Sequence, residues 1–163
     1  MTTINEKNNQ NVGNAGEYFF AHVLSCHNFI ATITLGRAEK VDILAVNPKG
    51  QTYKIQVKTL YGNGPMWRMN PKDENARDDV FYAFVRLSNL EKPPEYWLIP
   101  GNEVGNFVRK YYQKWEQIPG RYGQAHKKGA HRAFRVTTDK YTPQMWTEKC
   151  EDYKMNQGLK QLI

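Results

Sequence analysis

The feature that most constrains the fold is a pair of strand-like segments on either side of a tight turn. Residues 41–46 are apolar except for Asp42, and residues 52–59 alternate between apolar and polar side chains. Residues 47–50 read Asn-Pro-Lys-Gly, a combination that favours a turn. Because side chains alternate between the two faces of a sheet along a strand, this pattern predicts an antiparallel hairpin.

Asp42 is the residue of this hairpin that needs an explanation. An ionised carboxylate in an apolar strand is costly unless it is paired or binds a metal. Gln56 and Lys58 are two residues apart, so they share one face of the second strand. Asp42 comes opposite Gln56 only if the loop spans the five residues 47–51, or if a bulge has the same effect. We therefore predict this register.

The rest of the chain is predicted to complete one domain. Residues 1–10 are polar and expected to be frayed, so the domain comprises residues 11–163. Gly16 lies within the apolar face of the first helix, where a neighbour can approach closely. The predicted elements are a helix over 12–28, strands over 29–35, 80–87 and 96–99, an irregular connection over 61–79, a helix over 102–115 with Asn102 as N-cap, a short strand over 133–137 and a helix over 143–154. This order predicts an α/β (α+β) sandwich around a mixed central sheet flanked by helices, and not a doubly wound parallel sheet.

The composition fits a globular domain with an anionic partner. With 163 residues and 40% hydrophobic residues, the chain is long enough to bury one core. The formal net charge of +7 fits nucleic acid, although solubility explains such a charge equally well. Cys26 and Cys150 match no zinc spacing, and the first ten residues contain no apolar signal region. We therefore expect reduced thiols, a cytoplasmic location and no membrane partner.

Asp42, Gln56 and Lys58 together are suited to phosphodiester hydrolysis. Aspartate offers Mg²⁺ an anionic oxygen, glutamine a neutral one, and the backbone carbonyl of Val57 can add a third. Lys58 can orient or help deprotonate the attacking water, or stabilise charge on the phosphate. Glu17 lies at the border of the apolar stripe of the first helix, from which it can reach the edge of the sheet. Taken alone, it is more often an ordinary surface residue favoured by the helix dipole.

These residues resemble the PD-(D/E)XK (restriction-endonuclease-like) nuclease superfamily, in particular its small prokaryotic members. The resemblance rests on segments 16–17, 41–45 and 55–59, with a looser likeness over 80–115. It implies an αβββαβ core and a DNA endonuclease that depends on Mg²⁺, with Mn²⁺ as a substitute. The implied catalytic residues are Glu17, Asp42, Gln56 and Lys58, and the implied metal ligands are Asp42, Gln56, Val57 and Glu17.

The sequence departs from the family pattern at two positions. Val41 stands where the motif has proline, and Gln56 stands where it has an acidic residue, which removes one negative charge from the metal site. The second departure motivates an alternative, a catalytically weak or inactive nucleic-acid-binding module on the same fold. A protein-interaction or structural domain is a third interpretation. The sequence does not distinguish DNA from RNA.

Basic and polar residues outside the motif are candidates for contacting the phosphates of duplex or branched DNA. A stretch such as 118–131, with its basic residues and glycines, suits backbone binding without base reading, and a solvated loop explains it equally well. The resemblance leaves a homodimer open, since one copy of such a site cuts one strand at a time. The candidates are Arg37, Lys40, Thr59, Arg68, Lys127, Lys128 and Arg132.

Overall fold

A five-stranded mixed sheet forms the centre of the structure, which is a computed structural model. The residues described are 8–34, 41–75, 78–88, 92–120, 122–126, 129 and 131–163. The strands are β1 (Ile30–Ile33), β2 (Ile43–Val46), β3 (Thr52–Tyr61), β4 (Trp67–Met69), β5 (Val80–Leu87), β6 (Glu95–Pro100) and β7 (Arg132–Phe134). The central sheet has the order β1-β2-β3-β5-β6, and β4 pairs with β7 in a separate ribbon. Within the central sheet β3 and β5 are parallel and the other neighbours antiparallel, so the predicted fold class is confirmed.

Helices cover both faces of this sheet. They are α1 (Asn9–Cys26), α2 (Gly101–Gln117), α3 (Trp146–Glu151) and α4 (Met155–Leu159), and 3₁₀ turns occupy Pro71–Glu74 and Lys160–Leu162. Among the described helices, none has the length and apolar character needed to cross a membrane.

Two buried layers hold the sheet, and we call them the α1 layer and the aromatic layer. In the α1 layer, Phe20 and Leu24 pack against Ile43, Ile55 and Val57 of the sheet. The aromatic layer lies under α2 and the β4–β7 ribbon, where the Phe84 and Phe134 rings stack at 3.8 Å. Fully burying a side chain of this size stabilises the fold by roughly 1.5–3 kcal/mol. The α1 layer therefore holds α1 against the sheet, and the aromatic layer holds α2 and the β4–β7 ribbon against it.

α1 begins within the segment predicted to be frayed. The side chain of Asn8 accepts a hydrogen bond from the amide of Gln10 at 2.9 Å and caps the helix. Its buried residues are Gly16, Phe20 and Leu24, spaced by one turn each. The first helix thus starts earlier than residue 11, and residues 1–7 lie outside the described part of the chain.

The β2–β3 hairpin has the predicted register. Ile43 pairs with Ile55 and Val46 with Thr52, which leaves a five-residue loop over 47–51. The same pairing extended by one step brings residue 42 opposite residue 56. The side chain of Asn47 organises the loop, because its Oδ1 accepts hydrogen bonds from the amides of residues 49 and 51 at 3.0 and 2.9 Å.

The last residues of the chain dock on this same loop. The Asn47 side-chain amide donates to the carbonyl of Leu162 at 2.8 Å, and the Lys49 ammonium donates to the carbonyl of Ile163 at 2.7 Å. Leu159 and Leu162 are buried in the α1 layer. The turn of the hairpin is therefore held from outside as well as by its own hydrogen bonds.

The connection between the parallel strands β3 and β5 differs from expectation. The segment predicted to be irregular contains β4 and the 3₁₀ turn Pro71–Glu74. Three residues are too few to reveal a strand by alternation, and here Trp67 and Met69 are buried while Arg68 is exposed. No α-helix occurs in the described part of this connection, and α2 follows β6. The chain therefore keeps its predicted elements in order, with β4 added between β3 and β5.

Other boundaries were also wrong in detail. Asn102 is not the N-cap of α2, because the helix already begins at Gly101 after Pro100 and the Asn102 side chain accepts from the amide of Glu103 at 2.7 Å. The helix predicted over 143–154 is two short helices, α3 and α4, separated at residues 152–154. Neither correction moves the hairpin.

Candidate active site

The carboxylate of Asp42 lies between β2 and β3, at the point where their pairing ends. Its Oδ2 accepts a hydrogen bond from the amide of Val57 at 2.7 Å, and its own amide donates to the carbonyl of Ile55 at 2.9 Å. On the β1 side, the amide of Thr34 donates to the Asp42 carbonyl at 3.0 Å. The amide of Val57 on β3 thus donates to the Asp42 side chain and not to a backbone carbonyl of β2. The strand β2 begins at Ile43, so Asp42 directly precedes the strand in which it was predicted.

α1 brings a second carboxylate to this point. Gly16 is buried against the side chain of Thr59 on β3, which confirms the expected close approach at this glycine. Glu17 is the next residue and is half-buried. Burial, followed by the nearby charge of Asp42, raises the pKa of the Glu17 carboxyl above its ordinary value. The two carboxylates therefore act on each other electrostatically.

The pKa of Asp42 is raised as well. Burial is the largest cause, and it outweighs the hydrogen bond from Val57 and the charge of Lys58, both of which lower that pKa. A raised carboxyl pKa means that the charged form is disfavoured by its surroundings. A bound cation would reduce this penalty, because it would add positive charge to that of Lys58.

Gln56 and Lys58 follow on β3, where they pair with Tyr82 and Phe84 of β5. Both are half-buried. The Oε1 of Gln56 is inaccessible to solvent and has no hydrogen-bond partner. An unsatisfied buried acceptor costs roughly 1–3 kcal/mol, and a ligand that reached this oxygen would relieve that cost.

The donor set fits a hard divalent cation. Glu17, Asp42, Gln56 and the Val57 carbonyl provide only oxygen, the ligand that Mg²⁺ and Mn²⁺ prefer. Within the described residues, no three His, Cys, Asp or Glu side chains come together. A site here therefore contains two carboxylates, and the amide and the backbone carbonyl would have to complete it.

The residues predicted to contact phosphates differ in whether they are described and in how exposed they are. Arg37, Lys40, Lys127 and Lys128 lie outside the described residues. Arg68 is exposed on β4. The hydroxyl of Thr59 is buried beside Gly16 without a hydrogen-bond partner, so it does not face a phosphate at the surface.

Arg132 is held by the protein itself. Its side chain is 11% exposed, forms an ion pair with Glu74 and lies 3.3 Å from the centre of the Tyr112 ring. It also donates to the carbonyl of Gly129 at 3.0 Å. These contacts join β7 to the 3₁₀ turn Pro71–Glu74 and to α2, so Arg132 is engaged within the protein.

Sequence reasoning missed a further cation on the sheet face that carries Gln56 and Lys58. Arg86 pairs with Leu60 and lies two residues beyond Phe84, the partner of Lys58. Its guanidinium lies 5.3 Å from the Trp67 ring and 3.4 Å from Glu95. A lone arginine at the end of an apolar strand gives no signal that it will lie there.

Comparisons with known proteins include a likeness to a solved structure. No family model and no curated protein matches the chain. Among solved structures, it resembles that of a bacterial homing endonuclease, I-Ssp6803I, with a TM-score of 0.55 and 12% sequence identity. The likeness covers 96% of this chain and 92% of that one. At this identity it shows a shared fold.

Proposed function

We propose that this protein is a metal-dependent endonuclease that hydrolyses phosphodiester bonds of DNA. The observation that carries the proposal is the electrostatic coupling of Asp42 to both Glu17 and Lys58. The unpartnered oxygen of Gln56 supports it, because the β2–β3 pairing extended by one step brings residue 56 opposite residue 42. The fold shared with a homing endonuclease supports this substrate, and the net charge of +7 agrees with it. The set corresponds to a PD-(D/E)XK site with a Gln-x-Lys variant.

Each residue has a distinct part in the proposed reaction. Asp42, Glu17, Gln56 and the Val57 carbonyl would hold Mg²⁺ or Mn²⁺, which when bound polarises phosphoryl oxygens and lowers the pKa of water. The hydrogen bond from the Val57 amide fixes the orientation of Asp42. The Lys58 ammonium orients the attacking water or stabilises the charge that develops on the phosphate.

Plasmid cleavage tests the proposal. Purified protein is incubated with supercoiled plasmid and Mg²⁺ or Mn²⁺, alongside Asp42→Asn and Lys58→Ala. Lys54→Ala is the matched control, because Lys54 lies on the same face of β3 but is about half exposed and paired with Asp79 at 2.9 Å. We expect the wild type and Lys54→Ala to nick the plasmid and the other two variants to leave it intact. Absence of cleavage by the wild type with both metals refutes an active nuclease.

A second candidate function is a DNA-binding module that no longer cleaves. Gln56 favours it, since a neutral ligand attracts a cation less strongly than a carboxylate. Calorimetric titration with Mn²⁺ separates the two candidates. The nuclease requires binding that is lost in Asp42→Asn, whereas the binding module retains DNA affinity with no Asp42-dependent metal binding.

A further inference from the structure

Gly16 lies where α1 comes closest to the sheet. A Cβ at this position would overlap the Oγ1 of Thr59 and would lie 2.8 Å from its Cγ2 and 2.9 Å from its Cβ. Real Cβ atoms essentially never approach other heavy atoms this closely. Any side chain at position 16 must therefore displace either Thr59 or α1.

Thr59 has little freedom to move. It lies inside β3, the central strand of the sheet, where it pairs with Val85 of β5. Its side chain is β-branched and limited to few rotamers, and its hydroxyl is already inaccessible to solvent. The displacement would therefore fall on α1, and Glu17 is the first residue to move with it.

We propose that the contact between Gly16 and Thr59 is a spacer that sets how closely Glu17 approaches Asp42. Gly16 and Thr59 are then positioning residues of the active site, which act through Glu17 and do not touch the substrate. This inference rests on the proposed nuclease function. It gives Thr59, whose hydroxyl is buried, a part in the reaction other than the phosphate contact predicted from sequence.

The same helix offers a matched control for this spacer. Gly13 lies one turn before Gly16, and a Cβ built there meets no atom within 4 Å. Gly13→Ala therefore makes the same chemical change in the same helix without touching the sheet. It should raise the thermal stability slightly, because alanine favours a helix over glycine.

Metal binding and cleavage by the two alanine variants test the spacer. We expect Gly16→Ala to weaken Mn²⁺ binding and slow plasmid cleavage by roughly 10- to 100-fold, the usual cost of disturbing a group that orients a metal ligand. Gly13→Ala should stay within about twofold of wild type on both measures. A folded Gly16→Ala protein that binds Mn²⁺ and cleaves DNA like the wild type overturns the inference.

A second-site change separates positioning from general damage. Thr59→Gly removes the three atoms that lie nearest to a Cβ at position 16, so Gly16→Ala/Thr59→Gly should match Thr59→Gly alone within about threefold. Thr59→Ala leaves its Cβ at 2.9 Å and should restore less. If Gly16→Ala does not fold, the double variant provides the test. A loss of Mn²⁺ affinity or cleavage rate of tenfold or more relative to Thr59→Gly alone overturns the proposal that Gly16 and Thr59 act as a spacer.

A crystal structure of Gly16→Ala distinguishes this inference from the proposed function. If the wild type neither binds Mn²⁺ nor cuts DNA, the nuclease proposal fails, but the position of α1 relative to β3 can still be measured. A shift of α1 away from Thr59 with Glu17 moved from Asp42 supports the spacer. An unmoved helix that accommodates the alanine overturns it.

Discussion

Asp42 and Asp139 are both half-buried aspartates, and their surroundings treat them in opposite ways. Asp139 accepts hydrogen bonds from the Tyr111 hydroxyl at 2.7 Å, from the Thr142 hydroxyl at 2.8 Å and from the Tyr141 amide at 3.0 Å, and it pairs with Arg135. For Asp42 the corresponding hydrogen bond is the one from the Val57 amide. The charge of Lys58 favours ionised Asp42, and the nearby carboxyl of Glu17 opposes it.

The pKa values of the two carboxyls follow from this difference. Burial raises the pKa of both. At Asp139 the hydrogen bonds from Tyr111, Thr142 and Tyr141 and the charge of Arg135 reverse the effect, so its pKa lies below the ordinary value, whereas the pKa of Asp42 stays above it. The comparison teaches that burial alone does not mark a functional carboxylate. A functional carboxylate is indicated where hydrogen bonds and nearby charges do not fully offset the effect of burial on the pKa, as at Asp42.

The largest expected effect is on catalysis. Asp42→Asn should reduce plasmid cleavage at least ~10²-fold, because it removes a charge from the proposed metal site. Its melting temperature should stay the same or rise, since the fold gains nothing from that charge. Asp139→Asn should cleave DNA within about threefold of wild type. Equal losses of cleavage in both variants would contradict the distinction between the two sites.

The next effect is on stability. Asp139→Ala should lower the free energy of unfolding by about 2 kcal/mol, because it leaves Arg135 and Tyr111 without their partner. For a chain of this length that corresponds to a fall in Tm of roughly 4–8 °C, measured by calorimetry. Asp152→Ala, at an exposed position of α3's C-terminal end, is the control and should change Tm little. A Tm of Asp139→Ala within 1 °C of wild type, taken as about the measurement error, would mean that the Asp139 network contributes nothing net.

The pH dependence of stability should differ in sign between the two residues. The lowered pKa of Asp139 contributes stability that is present above the ordinary carboxyl range and is lost as the pH falls through the folded-state value. The raised pKa of Asp42 works against the fold at neutral pH, and this penalty disappears as the pH falls into and below the ordinary carboxyl range, near pH 4. Urea titrations of Asp42→Asn and Asp139→Asn against wild type from pH 7 to pH 3 measure this. Parallel curves would refute it.

The smallest effect concerns Gln56. Gln56→Glu adds a carboxylate to the proposed site, so Mn²⁺ affinity should increase by about fivefold to tenfold, while the metal-free protein becomes slightly less stable from added repulsion. Gln51→Glu, in the exposed loop of the same hairpin, is the control and should leave Mn²⁺ affinity unchanged. Calorimetric titration gives both values. An affinity unchanged by Gln56→Glu would place the cation away from β3.

Much of the hairpin could be predicted because its signals are local. The turn residues at 47–50 and the alternation over 52–59 predict the hairpin. Its register followed from the requirement that Asp42 come opposite Gln56, and the observed pairing confirms that register. β5 was also predicted at its observed bounds, since eight consecutive strand-forming residues leave little ambiguity.

The rest depends on contacts that sequence does not encode locally. Nothing in residues 12–28 shows that Glu17 reaches Asp42, and the prediction drew on resemblance for it. The position of Thr59 directly after Lys58 led to the prediction that it contacts a phosphate. Its packing against Gly16 depends on how α1 crosses the sheet, which the local sequence does not show. Arg132 looks like a phosphate contact until Glu74 and Tyr112, distant in sequence, are seen beside it.

The division into two buried layers has a spectroscopic consequence. The chain has four tryptophans, of which Trp67, Trp97 and Trp146 lie in the aromatic layer and Trp115 stacks on Tyr112 of α2. Intrinsic tryptophan fluorescence will therefore report on that half of the molecule and will be nearly blind to the hairpin and α1. A tryptophan introduced at the exposed Tyr18 would give the other half its own optical signal, next to Glu17.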